Sequence, residues 1–330
     1  MKITKGCDIM IRFALIGYGY RAKFYERVAK ALNSEFEISV ICVTKDEVEK
    51  VKNETQINTI SSINDLKNYD FDFVVNCASK NIISKLSLEL IDMGFKVLQE
   101  TPCALTTLEL ENISKLNISD KLFIAEQYYL FPKYQQIINI VKSNKLGEVN
   151  ELFIEAMHDY HAYSIIREIL NVNEPEFKLY GKQYRDLITR TKTRYDDYKD
   201  GVLVKHNSKH VVFDFGNKRA IYNFTSEQYR SPIRMPYINV RGTRGEIINN
   251  EVRYLNDSNE LVIEKLLDHN HILTEDEYAI SQMLYMLGNK IKGQGDFYSL
   301  ENAIEDAYVS ILMNELPFDN FKEISVKKRG

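Results

Sequence analysis

The feature that most constrains the fold is a regular alternation of apolar and amphipathic segments between residues 11 and 127. The apolar segments are near-continuous runs of strand-forming residues at 11–17, 36–43, 71–78, 96–100 and 121–128. The intervening segments have helical periodicity, as when Phe24, Val28 and Leu32 recur every four residues. Buried strands that alternate with amphipathic helices indicate a parallel sheet covered by helices on both faces. The pattern therefore predicts an α/β domain with a doubly wound parallel sheet.

Short local signals predict where several helices begin and end. Three pairs have the form of a capping box, in which a threonine is followed three residues later by a glutamate. They are Thr44–Glu47, Thr106–Glu109 and Thr274–Glu277. Gly94 follows the last periodic residue of another helix, as is common at helix ends.

The pattern changes after residue 128. A helix over 131–147 is predicted to leave the first domain, and a strand from Glu151 runs into a helix at about His161. Short alternating segments between residues 177 and 267 predict a largely antiparallel sheet, and helices at 274–292 and 300–316 are predicted to close the chain. We predict two domains, an α/β domain at 1–128 and an α+β domain at 129–330 whose closing helices could pack back on the first.

Composition excludes several classes of protein. The net charge is −4 with acids and bases interspersed, so no basic field suits a nucleic-acid backbone. No apolar run approaches the roughly 18 residues of a membrane span, and the first ten residues lack the apolar core of a signal peptide. Met10 could serve as the native start instead of Met1. The four cysteines are widely spaced, which fits a reducing compartment. We predict a cytoplasmic protein with a small-molecule substrate.

A glycine loop follows the first predicted strand and opens the first predicted helix. We define it as residues 17–22, which have the G-x-G-x-x-A form: Gly17, Tyr18, Gly19, Tyr20, Arg21 and Ala22. The first glycine permits a tight turn, the second lets the backbone approach a pyrophosphate, and the helix N-terminus favours phosphate. Its place in the first βαβ unit favours a Rossmann domain that binds a nicotinamide dinucleotide. A purely structural turn and an S-adenosylmethionine site are the alternatives.

The end of the second strand bears on the choice between NAD and NADP. An acid there binds the ribose 2′-hydroxyl, whereas a missing acid and a nearby cation suit the 2′-phosphate. Thr44 stands where the acid is expected, and Lys45 and Arg21 are available cations. This arrangement favours NADP slightly, while Asp46 could perform the ribose role and leave Thr44 as a helix cap.

Further cofactor-binding candidates lie where the later strands end. Ligands of open α/β sheets bind at the carboxyl ends of parallel strands. The candidates are Ala78, Glu100, Thr101 and Gln127. Tyr128, next along the chain, could line the substrate cleft or pack at the seam between the two predicted domains.

Several segments together resemble the Gfo/Idh/MocA family, the group that includes glucose–fructose oxidoreductase and inositol dehydrogenase. Besides the glycine loop, residues 94–102 are similar to the family's G-k-h-V-l-x-E-K-P segment, and residues 146–149 and 240–246 are similar to its second-domain junction and turn. The resemblance implies a C-terminal domain with a large open sheet that mediates homodimers or homotetramers. It also implies hydride transfer between NAD(P) and a sugar- or polyol-like carbon, and a cis bond between Thr101 and Pro102.

The sequence departs from the family pattern at positions that matter for chemistry. Thr101 replaces the lysine of E-K-P, and a hydroxyl cannot act as a general acid near neutral pH. The family's T-P-N-x-x-H segment is absent after Ala78. In the D-x-x-x-H-x-x-D segment, His161 fits the histidine but Met157 and Ser164 replace the aspartates.

Hydride transfer to a carbonyl requires a proton carrier or fixed donors at the oxygen. The densest supply of such groups is residues 158–161, at the predicted strand-to-helix junction. The resemblance makes His161 the first catalytic candidate, and histidine side chains titrate near neutrality. His158 and Tyr160 are alternative proton carriers, and Asp159, Ser164 and Arg167 are candidates for contacting or orienting the substrate. The alternative is that this cluster only caps a helix and packs.

No metal site is predicted. His206 and His210 are four residues apart, which suggests metal ligation only on a helix, and their segment is predicted to be two strands and a turn. The sequence thus predicts an NAD(P)-dependent dehydrogenase or reductase acting on a sugar, nucleotide sugar, polyol or related carbonyl or imine. Because the family lysine is missing, a non-catalytic NAD(P)-binding regulatory or assembly protein remains the alternative.

Overall fold

The computed structural model describes residues 10–155, 157–193, 195–225 and 231–328. The chain forms two compact units, and each unit is built from two stretches of sequence. The first unit ends at Pro132 and resumes over His269–Ile304, while the second comprises Lys133–Asp268 and the residues from Glu305 onward. The closing part of the chain is therefore shared between the two units.

The first unit contains a six-stranded sheet in the order β3-β2-β1-β4-β5-β6, and every neighbouring pair is parallel. The strands are β1 (Ile11–Ile16), β2 (Phe36–Cys42), β3 (Thr59–Ile60), β4 (Phe73–Asn76), β5 (Val97–Gln99) and β6 (Leu122–Ile124). The helices are α1 (Ala22–Ala31), α2 (Val48–Thr55), α3 (Ile83–Asp92), α4 (Thr107–Ser114) and α7 (Glu275–Ile291). The predicted doubly wound parallel sheet is confirmed.

Two of the three predicted capping boxes are present. In α4 and α7 the threonines Thr106 and Thr274 accept from the backbone three residues on, and the glutamates return a contact to the cap backbone. The third prediction is wrong in detail. Thr44 donates to the Glu47 carboxylate at 2.7 Å and the two residues close a turn, but α2 begins only at Val48.

Helix α7 completes the core of the first unit. Its apolar residues Ile280, Leu284 and Leu287 are fully buried together with residues of β1 and α1. At Gly288 the helix lies so close to β1 that an added Cβ would stand 2.5 Å from the Ile11 side chain. Because position 288 is a glycine, helix α7 can pack directly against Ile11 of the first strand.

The described residues of the second unit form a nine-stranded sheet, ordered β14-β13-β12-β11-β7-β10-β9-β8-β15. It is antiparallel except for the β7–β10 pair. The strands are β7 (Val149–Glu155), β8 (Glu176–Thr189), β9 (Leu203–Asp214), β10 (Arg219–Thr225), β11 (Ile238–Gly242), β12 (Gly245–Ile248), β13 (Glu251–Leu255), β14 (Leu261–Lys265) and β15 (Lys322–Lys327). The remaining helices are α5 (Pro132–Lys142), α6 (Asp159–Leu170) and α8 (Leu300–Asn314). The predicted mostly antiparallel second sheet is confirmed.

The structure corrects two predictions about this sheet. The chain closes on β15, which pairs with β8, and not on a helix. The segment around His206 and His210 is one continuous strand, because β9 pairs with β8 over its whole length and leaves no turn between the histidines. In the described part of the chain, no helix has the length and apolar character needed to span a bilayer.

Candidate functional site

The glycine loop lies between β1 and α1, as predicted, and is fixed against the neighbouring strands. The Gly17 amide donates to the carbonyl of Cys42 at 2.9 Å. Gly17 has a φ of +77°, and a Cβ there would stand 3.0 Å from the Cys77 carbonyl oxygen. Both the backbone conformation and the space therefore favour glycine at this position.

The second glycine faces open space instead. A Cβ at Gly19 would meet no atom within 4 Å, and its φ is not in the left-handed region. The first turn of α1 carries no acidic residue, and Arg21 makes no side-chain cap bond there. An open backbone beside an uncapped helix N-terminus suits a bound anion. The residues present thus fit the pyrophosphate of a dinucleotide.

The ends of β4 and β5 are held by buried amide side chains. Asn76 accepts from the Ala78 amide at 3.1 Å and donates to the Ser87 hydroxyl at 3.0 Å. Gln99 donates to the carbonyls of Pro102 and Cys103 at 3.2 and 2.9 Å. These contacts fix the segments that carry Ala78 and Thr101. The sequence analysis did not single out either amide, although each is a polar residue inside a buried strand.

The Thr101–Pro102 peptide bond is cis, as expected from the resemblance. Glu100 is buried, and its Oε1 accepts from the Tyr25 hydroxyl at 2.6 Å. Burial raises the pKa of Tyr25, and the Glu100 carboxylate raises it further, so this phenol remains a donor at neutral pH. Gln127 is buried too, and its Oε1 has no partner among the described residues. Such an acceptor is a candidate for hydrogen bonding to a bound cofactor.

Arg21, one of the two predicted cations, is paired within the protein. Its Nε donates to Glu100 at 3.0 Å and its Nη1 donates to Asp276 at 2.9 Å. Two of its donors are therefore already used by carboxylates. Lys45, which is exposed beside Thr44, is the remaining predicted cation.

The predicted catalytic residues lie at the β7–α6 junction of the second unit. His158 is the N-cap residue of α6 but makes no side-chain cap bond. Its ring stacks with the ring of Tyr160, at 6.0 Å between centroids, and Tyr160 contacts the His161 ring edge-on at 4.4 Å. His161 is buried. The junction thus gathers three side chains that can exchange or donate a proton.

Asp159, between the two histidines, is held by a polar network that the sequence analysis missed. Its Oδ2 accepts from the Lys209 ammonium at 2.6 Å and from the Asn314 amide at 3.1 Å. Its Oδ1 accepts from the Tyr222 hydroxyl at 2.7 Å, and all but Asn314 are buried. Burial raises the pKa of Tyr222, and the Asp159 carboxylate raises it further, so this hydroxyl also stays protonated. The network fixes the first residue of α6.

Comparison with known proteins bears on the first unit. Residues 11–128 match the family model described as the oxidoreductase family with an NAD-binding Rossmann fold. These residues are thus identified as the NAD-binding domain of the Gfo/Idh/MocA family. A comparison with curated protein sequences finds no match.

Solved structures share the Gfo/Idh/MocA fold over nearly the whole chain. An oxidoreductase from Agrobacterium radiobacter, in complex with NAD+, L-tartaric acid and magnesium, has a TM-score of 0.72 at 14% identity, covering 97% of this chain and 98% of the other. The apo scyllo-inositol dehydrogenase of Lactobacillus casei has a TM-score of 0.69 at 13% identity, covering 96% and 98%. A candidate NADPH-dependent oxidoreductase from Desulfitobacterium hafniense has a TM-score of 0.69 at 12% identity, covering 92% and 94%. At these identities the likeness shows the fold.

Two of the predicted substrate residues are buried in α6. Ser164 is fully buried, and its hydroxyl donates to the His161 carbonyl at 2.9 Å. Arg167 forms a buried ion pair with Asp306 at 2.9 Å. Both side chains therefore contribute to the packing of α6 within the second unit, and their contact with a substrate stays a prediction.

The remaining predictions have mixed outcomes. Tyr128 is buried, and its ring stacks on Phe131 at 4.7 Å, while its place in a substrate cleft stays a prediction. His206 and His210 lie on one strand, and His210 Nδ1 contacts the Asn223 amide oxygen at 2.5 Å. Over the ranges that the structure describes, no three His, Cys, Asp or Glu side chains are grouped to hold a metal.

The buried ion pair between Lys209 and Asp159 leads to a stability prediction. We expect Lys209→Met to lower the free energy of unfolding by about 3–5 kcal/mol, because the Asp159 carboxylate is left buried without its cation. Urea denaturation followed by circular dichroism measures the change. Lys205→Met is the matched control, since Lys205 is exposed on the same strand, and it should change stability by no more than about 0.5 kcal/mol. Equal stability of the two variants would contradict the assignment.

Proposed function

We propose that the chain is an NAD(P)-dependent dehydrogenase or reductase that acts on a sugar, nucleotide sugar, polyol or related carbonyl or imine. The observation that carries the proposal is the glycine loop. Its backbone has free space at Gly19, and at Gly17 it is held by a hydrogen bond to the Cys42 carbonyl. The family match of residues 11–128 supports the oxidoreductase class. The nicotinamide, when bound, supplies or accepts the hydride. The residues of this chain bind the cofactor and transfer the proton.

On the cofactor side, the residues bind and orient. The amides of the glycine loop and the start of α1 hold the pyrophosphate. Glu100, Thr101 and Gln127 follow adjacent parallel strands and orient the nicotinamide half by hydrogen bonds. Thr101 can donate such a bond but cannot change its protonation near neutral pH, so the proton must be moved elsewhere.

On the substrate side, we propose that His161 is the residue that donates or accepts the proton. In the direction of reduction its imidazolium donates to the substrate oxygen or nitrogen, and in the direction of oxidation the neutral ring accepts that proton. His158 and Tyr160 are the alternatives at the same junction, and Asp159 orients this segment through its contacts with Lys209 and Tyr222.

The similar proteins support a hydroxylated substrate. One is named as a scyllo-inositol dehydrogenase, and another was solved with L-tartaric acid. Purified protein titrated with NADPH and NADH, then mixed with a panel of polyols, sugars, carbonyls and imines, tests the proposal through the absorbance of the reduced cofactor. Binding without turnover on any of these would favour a regulatory or assembly role, which the threonine at position 101 keeps as the second candidate.

The cofactor preference has its own test. NADP is slightly favoured because Thr44 replaces the usual acid and Lys45 is exposed beside it, whereas the Glu47 carboxylate bonded to Thr44 favours NAD. We expect Lys45→Ala to weaken NADPH binding about tenfold, the value of one ion pair with a phosphate, and to leave NADH binding unchanged. Fluorescence titration measures both dissociation constants. Lys85→Ala, which removes an exposed lysine of α3, is the control. Tighter binding of NADH than NADPH by the unaltered protein would reverse the preference.

A further inference from the structure

Arg21 joins three elements of the first unit through one side chain. It belongs to the glycine loop, yet its guanidinium is bonded to Glu100 after β5 and to Asp276 in the first turn of α7. The two contacts measure 3.0 and 2.9 Å, and the Arg21 side chain is only 22% exposed. A planar guanidinium suits this geometry because it presents several donors in fixed directions.

The charges around this side chain matter for an anionic ligand. Glu100 and Asp276 are two carboxylates bonded to Arg21, a residue of the loop that we propose receives a pyrophosphate. Without Arg21 their negative charge would repel the ligand, and the partly buried setting would strengthen the repulsion. Tyr25 donates to the same Glu100 oxygen but carries no charge to offset it.

The same guanidinium retains one unused donor. Its Nη2 is buried and has no hydrogen-bond partner among the described residues. A buried N–H without an acceptor is unfavourable, and a charge-assisted bond to an oxygen would relieve this cost. A phosphate oxygen or a ribose hydroxyl of a dinucleotide is an acceptor of this kind.

We propose that Arg21 is a positioning residue for the cofactor, which braces the glycine loop against Glu100 and Asp276 and offers its Nη2 to a cofactor oxygen. The inference rests on the proposed function. It makes cofactor affinity depend on Asp276, a residue of the C-terminal helix that no glycine-loop motif includes. It also predicts equal effects on the two cofactors, because the brace is independent of the 2′-phosphate.

The test compares Arg21→Lys and Asp276→Asn with the unaltered protein. Lysine keeps the charge but lacks the planar fork that reaches Glu100 through Nε and Asp276 through Nη1. Asparagine keeps the shape of Asp276 without its charge. We expect Arg21→Lys to weaken NADPH and NADH binding about tenfold each. Asp276→Asn loses the ion pair with Arg21 but also removes one carboxylate that repels the anion, so we expect a smaller loss, about threefold for both cofactors. Fluorescence titration gives the dissociation constants, and thermal unfolding shows whether each variant is folded.

Arg27→Lys is the matched control, because Arg27 joins the same two helices through Glu277 without touching the glycine loop. Its dissociation constants should not change. Unchanged constants in both test variants, an equal loss in the Arg27 control, or a loss confined to NADPH would each overturn the proposal. If the unaltered protein binds neither cofactor, the proposed function itself is rejected. If Arg21→Lys does not fold, the conservative Asp276→Asn variant decides.

Discussion

Gly19→Val is expected to abolish nicotinamide dinucleotide binding while the protein remains fully folded. Valine meets no protein atom within 4 Å of its Cβ and needs no unusual backbone angle, so folding should be unaffected. The same side chain fills the space where the backbone must approach a pyrophosphate. We expect a loss of at least about 100-fold in affinity for both cofactors, which corresponds to about 2.7 kcal/mol. Calorimetric titration and thermal unfolding, measured on the same sample, separate binding from folding.

A glycine of the second unit provides a control with the opposite expected effects, a loss of stability without a loss of cofactor binding. Gly216 has a φ of +84° in the turn between β9 and β10. Gly216→Ala should therefore cost about 1 kcal/mol of stability through backbone strain and leave the dissociation constants unchanged. Full cofactor binding by the folded Gly19→Val variant would show that the glycine loop does not receive a pyrophosphate.

His161→Ala is expected to lower kcat by about 100-fold to 10,000-fold, the usual contribution of a positioned general acid or base. The dissociation constants for NADPH and NADH should stay the same, because the proposed cofactor ligands all lie in the first unit. Steady-state kinetics with the best substrate from the panel, together with cofactor titrations, measure both quantities.

Two neighbours of His161 sharpen this test. His158→Ala and Tyr160→Phe each remove one alternative proton carrier at the same junction. If either lowers kcat as far as we expect for His161→Ala, while His161→Ala has little effect, the assignment moves to that residue. If all three variants retain full kcat, the cluster has only a packing role.

Local patterns made most of the first unit predictable. Its strands are continuous apolar runs. Such a run predicts a strand that is buried on both faces, and the prediction needs only the residues of the run itself. Strand β15 was missed because its alternation is short, since only Ile324 and Val326 are apolar and the other four residues are polar. The His206–His210 segment was misread for a related reason, since polar residues in the middle of β9 resemble a turn until the pairing with β8 is known.

The site shows the same division between local and distant signals. The place of the glycine loop follows from contiguous residues, and the cis bond before Pro102 was expected from the resemblance of residues 94–102 to the family segment. The partners of Arg21 and Asp159 were not, because Asp276 and Lys209 lie 255 and 50 residues away along the chain. One signal in the sequence could have shown that Lys209 is buried. Lys209 alternates with Val211 and Phe213 at a spacing of two residues, so the three side chains lie on the same, buried face of β9.

The interleaving of the two units constrains how the protein is made. Helix α7 packs Gly288 against Ile11, and β15 completes the other sheet, so each unit needs residues that are synthesised long after its first stretch. A nascent chain that ends at Pro132 would expose the apolar surface of β1 and α1 to solvent. We therefore expect this fragment to be insoluble or chaperone-bound when expressed alone, and the first unit to fold only once residues 269–304 have been synthesised.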